Sequence, residues 1–431
     1  MHSTRLLSGA YRRIVWVSFK NSNRGYAKHS LAPSHVSSKT AFQKPNNEID
    51  PSEFAPKQAV LLKKITRYEY EKQINVIEGE EELTNYLSQK GSDYLGLLKR
   101  HDEYYAALDA IYESLEKHGI TTKIVNRMDY DEALINNADI VLSAGGDGTF
   151  LLAASRVHSC NKPIIGFNTD PIRSEGYLCL PKTFSGNYDK AMDKILAGKF
   201  SWGFRQRIRL TMAGQHENDE PIHMHDQEMG SPEFRFHEHV QENEQVYSNN
   251  KSNLPPRVLP SLALNDVFIG ESISARVSYY EISVNDSPRV KQKSSGITVC
   301  TGTGSSSWFF HINHIPKQSV KEILRIANRL GGTKVNLNDE MLLRKVTKAF
   351  NCSLRFDPSE LRMAYVIRDP VVNGVFQVAS PRGFANKMEL KSRMWDARIV
   401  IDGGYSYKFN DGAVVELEMH PEDALRTILL E

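Results

Sequence analysis

One stretch of the chain, residues 138–154, constrains the fold more than any other. Its first part is an apolar run of the length of a buried strand, and its last part spaces apolar residues as one face of a helix would. Between the two parts lie Gly145, Gly146, Asp147, Gly148 and Thr149. Because glycines interrupt regular structure, the pattern predicts a strand that turns directly into a helix at these residues.

A strand-to-helix turn of this composition is suited to binding phosphate. Glycines leave no Cβ in the way of a phosphate, and the free N–H groups at the start of the helix point towards it. A carboxylate beside phosphates is unfavourable unless it binds a cation or accepts a proton, so we interpret Asp147 as a base or a metal contact. The alternative is an Asp-Gly turn in which the aspartate caps the helix.

The N-terminal segment, residues 1–47, has the composition of a mitochondrial transit peptide. It contains eight Lys or Arg residues and eight serines, and it has no Asp or Glu. The sequence Arg24-Gly25-Tyr26-Ala27 looks like a matrix-protease cleavage site, which predicts removal after Tyr26 and location in the mitochondrial matrix. The alternative interpretation is a disordered basic tail.

Removal of this segment reverses the net charge of the chain. The whole chain has 54 basic and 52 acidic residues, and the remainder has 46 basic and 52 acidic residues. A mildly acidic protein does not suggest nucleic-acid binding. No apolar run approaches the roughly 18 residues that a membrane span requires. The four cysteines lie far apart, as reduced thiols of a matrix enzyme would.

The order of the predicted elements indicates two domains. Strands alternate with helices over residues 57–180, which predicts an α/β domain with a Rossmann-like parallel sheet. Residues 181–411 are mostly strands and turns, which predicts a β-rich domain whose last strand lies nearby at 414–419. We expect a disordered, histidine-rich insertion at 215–256 and a helical insertion at 317–350. The histidine pairs of the first insertion could bind a metal, but its composition favours a surface loop.

Two finer predictions concern the α/β domain. Residues 66–70 follow the first strand and are interpreted as a loop, whereas residues 92–118 predict a long helix whose apolar face includes Leu95. After the strand at 163–168, a polar loop carries Asn168, Asp170 and Arg173. Since ligands bind at the carboxyl ends of parallel strands, this loop and the glycine-rich turn should face one cleft.

Two polar stretches stand out in the β-rich domain. Asn265 and Asp266 lie in the middle of an apolar strand predicted at 262–269, where a ligand's hydroxyls or ring nitrogens would satisfy them. The alternative is a β-bulge with local backbone bonds. Small residues crowd positions 301–308 and offer backbone and hydroxyl donors to a ligand, although such a run is often a flexible turn. Its candidate ligand residues are Thr303, Gly304, Ser305 and Ser306.

Several motifs in order resemble those of the NAD kinase family, and specifically of its mitochondrial branch. They are Thr66-Arg67-Tyr68-Glu69, residues 143–152, Gly166-Phe167-Asn168-Thr169-Asp170-Pro171, Arg173-Ser174-Glu175-Gly176, residues 205–210, Asn265-Asp266, Ser294-Ser295-Gly296 and residues 301–307. The resemblance covers most of residues 57–210 and 258–420. The combination is highly specific, although Gly-Gly-Asp-Gly-Thr alone also occurs in lipid kinases.

This resemblance implies a fold and a reaction. The second domain is expected to be sandwich-like, with the end of the chain, at about residues 412–431, completing the first. Members of the family transfer the γ-phosphate of ATP, accompanied by Mg²⁺, to the 2′-hydroxyl of the adenosine ribose of NAD. Asp147 matches the aspartate that deprotonates this hydroxyl, and Asn265 matches an adenine contact. Asp266 matches an acid usually written as Glu, and Thr303 and Ser306 match hydroxyl positions around the nucleotide.

Two departures from the family pattern concern assembly and binding. Ser295 stands where the family commonly has Asp, and Gly302 stands where it has Pro. In the family, that Asp can reach the ligand across a subunit interface. The resemblance implies a homodimer, and both its subunit arrangement and its nucleotide contacts can therefore differ from the family pattern. The residues that hold a metal are not assigned.

Two other functions compete with this interpretation. A lipid kinase of the diacylglycerol or sphingosine type shares the glycine-rich motif, but it predicts an apolar acyl-chain channel where this chain has polar stretches. A nucleotide-sensing module without catalysis is the non-enzyme alternative, and the retained Asp147 argues against it. The chain has neither a P-loop motif nor a Gly-x-Gly-x-x-Gly fingerprint, which excludes the ordinary P-loop route and disfavours hydride transfer.

Overall fold

Strands and helices alternate through the first part of the chain, and strands dominate the second. The structure, a computed structural model, describes residues 49–214, 216–225, 255–373, 376 and 380–430, all of which lie in one compact unit, Thr40–Glu431. Their helices are α1 Arg67–Ile74, α2 Glu80–Gln89, α3 Tyr94–Lys117, α4 Glu132–Asn137, α5 Asp147–Ser155, α6 Tyr188–Leu196, α7 Trp308–Asn313, α8 Lys317–Arg329 and α9 Glu340–Cys352. None of these helices is both long and apolar enough to cross a membrane.

The strands of the described residues form three sheets. They are β1 Gln58–Lys63, β2 Thr121–Val125, β3 Ile140–Ala144, β4 Ile164–Phe167, β5 Ser201–Arg205, β6 Ile208–Ala213, β7 Ile222–His223, β8 Arg257–Val258, β9 Asp266–Glu271, β10 Ser278–Val284, β11 Val290–Ser294, β12 Ile297–Cys300, β13 Met363–Ile367, β14 Arg382–Ala385, β15 Lys387–Ser392, β16 Ala397–Ile401, β17 Tyr405–Lys408, β18 Val414–Met419 and β19 Leu425–Leu429.

The first sheet has the strand order β2-β1-β3-β4-β19-β5. Strands β1 to β4 are parallel, and their register places Lys63 beside Ala144 and Ala144 beside Phe167. Helices α3 and α6 contribute to the apolar core on one face, and α4 and α5 contribute to the core on the other. The loops after β1, β3 and β4 therefore leave the sheet side by side, and the predicted α/β class is confirmed.

The first sheet extends beyond the predicted boundary at residue 180. Strand β5 pairs antiparallel with β19, and β19 pairs parallel with β4, so α6 and β5 belong to this layer and not to the β-rich part. The prediction that 414–419 is the last strand is wrong, because β19 follows it. Strand β19 lies between β4 and β5, and its first four residues are buried.

The other two sheets are antiparallel and share one core. Their strand orders are β11-β10-β15-β18-β6-β8 and β14-β13-β12-β9-β16-β17-β7. Alternating residues of both sheets meet in a single apolar cluster, for example Leu210 and Leu417 from one sheet and Ile269 and Ile399 from the other. This is the packing of a β-sandwich.

Two local predictions in the first part of the chain are wrong. Residues 66–70 are not a loop, because Thr66 and Glu69 form a capping box that starts α1. Leu95 is 73% exposed, since α3 buries a face that runs through Leu97 and Tyr104. The capping box is visible in the sequence, whereas the rotation of α3 is set by what packs on it.

The two insertions differ in how far the structure describes them. Helices α8 and α9 lie where the helical insertion was predicted. The segment predicted to be disordered, 215–256, is not uniformly so: β7 within it pairs with β17, and Glu217 is buried and accepts a hydrogen bond from the Gly214 N–H. Its histidines at 237 and 239 lie outside the described residues.

Candidate functional site

The glycine-rich turn joins β3 to α5 as the sequence predicts. A Cβ on Gly145 would lie 2.3 Å from Thr149 Oγ1, and one on Gly146 would lie 2.6 Å from Ser174 Oγ. Both glycines are therefore needed for packing within the protein. A Cβ on Gly148 would meet no atom within 4 Å, so the space beside the first turn of α5 is open. The Thr149 N–H donates to Gly146 O, which closes the turn.

Asp147 does not cap the helix, because Gly146 holds the cap position. Its carboxylate instead accepts hydrogen bonds from the N–H groups of Tyr177, at 3.2 Å, and Leu178, at 2.8 Å. These bonds fix the carboxylate at the junction of α5 and the polar loop that follows β4. The two predicted loops thus face one another, and Asp147 lies between them.

Asn168 shapes this second loop from inside. The side chain is 2% exposed; its Nδ2 donates to Ser174 O and its Oδ1 accepts from the Asp170 N–H. Gly176 has φ +65° and packs so closely that a Cβ would lie 2.5 Å from Asn168 Nδ2. The buried amide thus bonds within the loop and helps to position it, and the contact of Asn168 with the nucleotide stays a prediction.

Charged side chains border the cleft at the second loop. Asp170 accepts a backbone bond from Arg173 and lies 3.5 Å from its guanidinium. Lys64, directly after β1, is half-buried near both residues, and its ammonium lies 4.6 Å from the centre of the Tyr104 ring. Burial lowers the pKa of Lys64, and the Asp170 carboxylate partly offsets the effect. The sequence analysis missed this lysine because nothing local distinguishes it from a surface residue.

Arg205 connects the two halves of the site. Its guanidinium donates to Tyr177 O at 3.3 Å and to Thr303 Oγ1 at 3.4 Å. Burial lowers the pKa of Arg205, while the charges of Asp147 and Asp357 act to raise it. A cation thus lies beside the Asp147 carboxylate, at the contact between the polar loop and the small-residue stretch.

The pair Asn265-Asp266 does not lie in the middle of a strand, because β9 begins at Asp266. The entry to β9 is held by Asp402, whose carboxylate accepts hydrogen bonds from the N–H groups of Leu264, Asn265 and Asp266 at 2.7–3.0 Å. Asp402 lies 137 residues away from Asn265 in sequence, so no local pattern could reveal this contact.

A cavity of about 270 Å³ opens beside this strand entry. It is lined by Asn265, Asp266, Phe268, Ser307, Trp308, Val400, Asp402 and Gly403. Asn265 Nδ2 donates to Ser307 Oγ at 3.4 Å, and Asn265 Oδ1 has no hydrogen-bond partner among the described residues. Aromatic walls and a buried amide acceptor suit a planar heterocycle that donates a hydrogen bond.

Two carboxyl groups in this cavity titrate near neutrality. Burial raises the pKa of Asp266 to about 7, and the nearby Asp402 adds to the shift. Burial also raises the pKa of Asp402, to about 6, against the opposing effect of its three backbone donors. The charge of this cavity therefore depends on pH near neutrality, because both carboxyl groups have raised pKa values.

The small-residue stretch forms a tight turn before α7. A Cβ on Gly302 would lie 2.1 Å from Asp357 O, and one on Gly304 would lie 2.0 Å from Asn265 O. Gly302 therefore replaces the family's proline where another backbone segment packs against it. Gly304 likewise packs against the backbone of Asn265, and its predicted contact with a ligand stays a prediction.

The hydroxyl groups of this turn divide into two sets. Ser305 is 1% exposed, donates to Gly302 O and accepts from the Phe356 N–H, and its contact with the nucleotide stays a prediction. Thr303 accepts from Arg205, and Ser306 is half-buried and donates to Thr303 O at 3.2 Å. Ser305 thus holds the turn together, and the nucleotide contacts of Thr303 and Ser306 stay predictions.

Comparison with known proteins identifies a protein family that this chain resembles. The model of the ATP-NAD kinase N-terminal domain matches residues 64–200. Human "NAD kinase 2, mitochondrial" is 46% identical over 380 residues, covering 88% of this chain and 85% of the human one. The Xenopus tropicalis protein of the same name is 43% identical over 396 residues, covering 88% and 92% of the two chains.

A solved structure is similar at lower identity. The crystal structure of yeast NADH kinase complexed with NADH covers 88% of this chain and 84% of its own, with 13% sequence identity and a TM-score of 0.46. The family assignment rests on the sequence relatives, whose identity extends along most of both chains. This chain belongs to the NAD kinase family.

Proposed function

We propose that this protein is an ATP-dependent NAD kinase that forms NADP from NAD. In the reaction, the 2′-oxygen of the adenosine ribose forms a bond to the γ-phosphorus, and the bond between that phosphorus and the β,γ-bridging oxygen breaks. The departing ADP carries the bonding electron pair, and the proton of the hydroxyl passes to a base. The family assignment and the site geometry both favour this reaction over the two alternatives.

The observation that carries the proposal is the position of Asp147. Asp147 lies at the start of α5, next to the open space at Gly148, and its carboxylate is held by the N–H groups of Tyr177 and Leu178. The N–H groups of the first turn of a helix have no intrahelical partner and attract phosphate. A ribose hydroxyl placed there would have a base and a phosphate site within reach of each other.

The remaining site residues take roles that follow from their places. The cavity beside β9 would hold the adenine of NAD, with Asn265 as its hydrogen-bonding partner and Asp266 at its wall. Thr303 and Ser306 would lie along the ribose and phosphates. Asp170 and Arg173 would border the polar loop over the phosphates. Phosphoryl transfer depends mainly on positioning and charge neutralisation, so this set of residues is sufficient.

Mg²⁺ would enter with ATP as part of the substrate. The described residues contain no group of three His, Cys, Asp or Glu side chains that could hold a metal ion. In many phosphoryl-transfer sites, phosphates and water supply most of the ligands of Mg²⁺. The charge it supplies would neutralise the phosphates, while the chain itself orients the hydroxyl.

The cellular setting and assembly extend the proposal. Relatives at 42–46% identity carry the word mitochondrial in their names, and the acid-free segment 1–47 has the composition of a transit peptide. We therefore place the enzyme in the mitochondrial matrix. A homodimer is the assembly implied by the family resemblance.

The experiment is a product assay with purified protein lacking residues 1–47. Incubation with NAD, ATP and Mg²⁺ is expected to yield NADP, quantified with an NADP-specific dehydrogenase. Parallel reactions contain diacylglycerol or sphingosine in place of NAD. Phosphorylated lipid without NADP would support the lipid kinase, and tight NAD binding without any product would support the sensing module.

A further inference from the structure

Three arginines lie on one short segment, and two of them are fully used by the protein. Arg207 is buried and donates to the carbonyl oxygens of Asp423, Val157 and His158. Arg209 forms a two-bond ion pair with the Asp423 carboxylate, at 2.7 and 2.8 Å. Both side chains tie the segment to the first sheet layer, so their roles are structural.

Arg205 differs from both neighbours. Its two hydrogen bonds, to Tyr177 O and Thr303 Oγ1, go to neutral oxygens and are 3.3 and 3.4 Å long, which is beyond the usual range for N–H···O bonds. Its Nε is buried without a hydrogen-bond partner among the residues that the structure describes. The guanidinium is therefore held by long bonds to neutral oxygens, with the charges of Asp147 and Asp357 nearby.

The position of Arg205 between Tyr177 and Thr303 indicates which ligand could complete its hydrogen bonds. The peptide of Tyr177 donates its N–H to Asp147, and the carbonyl of the same residue accepts from Arg205. The carboxylate and the guanidinium are thus joined through a single residue. On its other side Arg205 reaches Thr303, in the stretch that borders the nucleotide cavity. Under the proposed function the transferred group lies beside Asp147, which brings it near this guanidinium.

We propose that Arg205 binds the phosphoryl group during its transfer to NAD. The inference rests on the proposed function and assigns a catalytic residue to it. The planar guanidinium has five donors that match phosphate oxygens in pairs. In the transition state, charge is spread over the equatorial oxygens of the phosphoryl group, and a nearby arginine stabilises it. Its weak bonds to Tyr177 and Thr303 hold the group ready and are easily exchanged for phosphate.

The alternative is that Arg205 only connects the polar loop to the β-rich part. Such a structural role predicts that replacing Arg205 lowers thermal stability and NAD affinity together with turnover. Phosphoryl binding predicts instead that kcat falls while NAD binding and stability are kept. The pattern of the three measurements therefore separates the two roles.

The test compares Arg205→Gln and Arg205→Lys with the wild-type enzyme, with Arg209→Gln as the matched control. We measure kcat, the KM values for NAD and ATP, NAD affinity by calorimetry, and Tm. Arg205→Gln is expected to lower kcat roughly 10²–10³-fold, as the loss of one preorganised charge donor does, with NAD affinity changed less than about threefold. Arg205→Lys should retain part of the activity because it keeps the charge, and Arg209→Gln should keep kcat.

A further measurement keeps the proposal testable if stability changes. In Arg205→Ala, added guanidinium ion is expected to restore part of kcat in a saturable manner, which a structural role would not allow. A kcat of Arg205→Gln within about threefold of wild type, or losses of Tm and NAD affinity without rescue by guanidinium, would overturn the inference. Failure of the wild-type enzyme to form NADP would instead overturn the proposed function.

Discussion

The Asp147 carboxylate is built into the fold through the backbone of the loop opposite it. Two N–H groups hold its oxygens, and an asparagine could keep one of these bonds without accepting a proton. We expect Asp147→Asn to lower kcat on the order of 10²–10⁴-fold, the usual contribution of a general base, while NAD binding persists. Steady-state assays and calorimetry measure the two effects.

A matched control for this variant is Asp339→Asn. Asp339 accepts a backbone N–H at the start of α9 in the helical insertion, so the same change there should leave kcat unaltered. If Asp147→Asn kept more than about a tenth of the wild-type kcat, Asp147 would lose the base role.

Asp266 makes stability depend on pH in a direction that can be worked out. Its pKa is raised to about 7 by burial and by Asp402, above the ordinary value of 3.8, so the folded state holds the proton more tightly than the unfolded state. The stabilisation from this protonation is full below about pH 4 and is lost as pH rises through 7. Ionised Asp266 therefore weakens the fold at pH 8.

Removal of the Asp266 carboxylate should raise thermal stability only at high pH, where this group is ionised in the wild type. The Tm of Asp266→Asn minus the Tm of the wild type is the quantity of interest. We expect this difference to be larger at pH 8 than at pH 5 by roughly 2 °C or more. Thermal unfolding of both proteins across this pH range provides the measurement. A Tm difference that stays constant between pH 5 and 8 would contradict the assignment of the raised pKa to Asp266.

Asn265 presents a buried acceptor to the cavity beside β9. Its Oδ1 has no partner among the described residues, and loss of one partner of a buried polar pair costs roughly 1–3 kcal/mol. Asn265→Leu should therefore raise the KM for NAD about tenfold or more, with a smaller effect on the KM for ATP.

The matched control for this prediction is Asn351→Leu. The Asn351 amide bonds only to the backbone of Ile315, within the helical insertion, so its replacement should leave the KM for NAD unchanged. If replacing Asn265 raised the KM for ATP instead, the proposed positions of NAD and ATP would have to be exchanged.

At the scale of elements, the turn between β16 and β17 organises the cavity. Asp402 occupies this turn with φ +50°, a left-handed conformation that aspartate tolerates better than most residues. From there its carboxylate binds three consecutive N–H groups at the entry to β9. The turn between β16 and β17 thus fixes the backbone at Asn265 and Asp266.

The elements that sequence analysis found are those with local signals. The β3–α5 turn and the helical insertion follow from glycine positions and helical periodicity. The contributions of Lys64, Arg205 and Asp402 could not be found in this way, because each acts through contacts with residues distant in sequence. Strand β19 was missed for the same reason, since a short apolar run at the chain end has no defined partner until the sheet is assembled.

At the scale of the whole molecule, the segment between β7 and β8 is expected to be dispensable. Strand β7 pairs with β17 and strand β8 pairs with β6, so both flanks are held independently of residues 226–254. Those residues contain too few apolar side chains to offset the entropy of ordering them. Replacing them with a short Gly-Ser linker should leave kcat within about twofold and Tm within about 2 °C of wild type.

The control is a longer deletion of residues 216–255. It removes β7 and Glu217, which is 2% exposed and accepts a hydrogen bond from the Gly214 N–H, and it should lower Tm clearly. Loss of soluble protein after the shorter deletion, or loss of a bound metal, would show that the histidines of the segment matter.

The place of β19 bears on how the protein is made. Strand β19 lies between β4 and β5, so the first sheet has a gap until residues 425–429 have been synthesised. While the ribosome is still translating, two unpaired strand edges are available for wrong pairing or aggregation. A stop codon that removed only the last few residues would leave every residue of the proposed site encoded, and yet the domain that carries Asp147 would lack its closing strand.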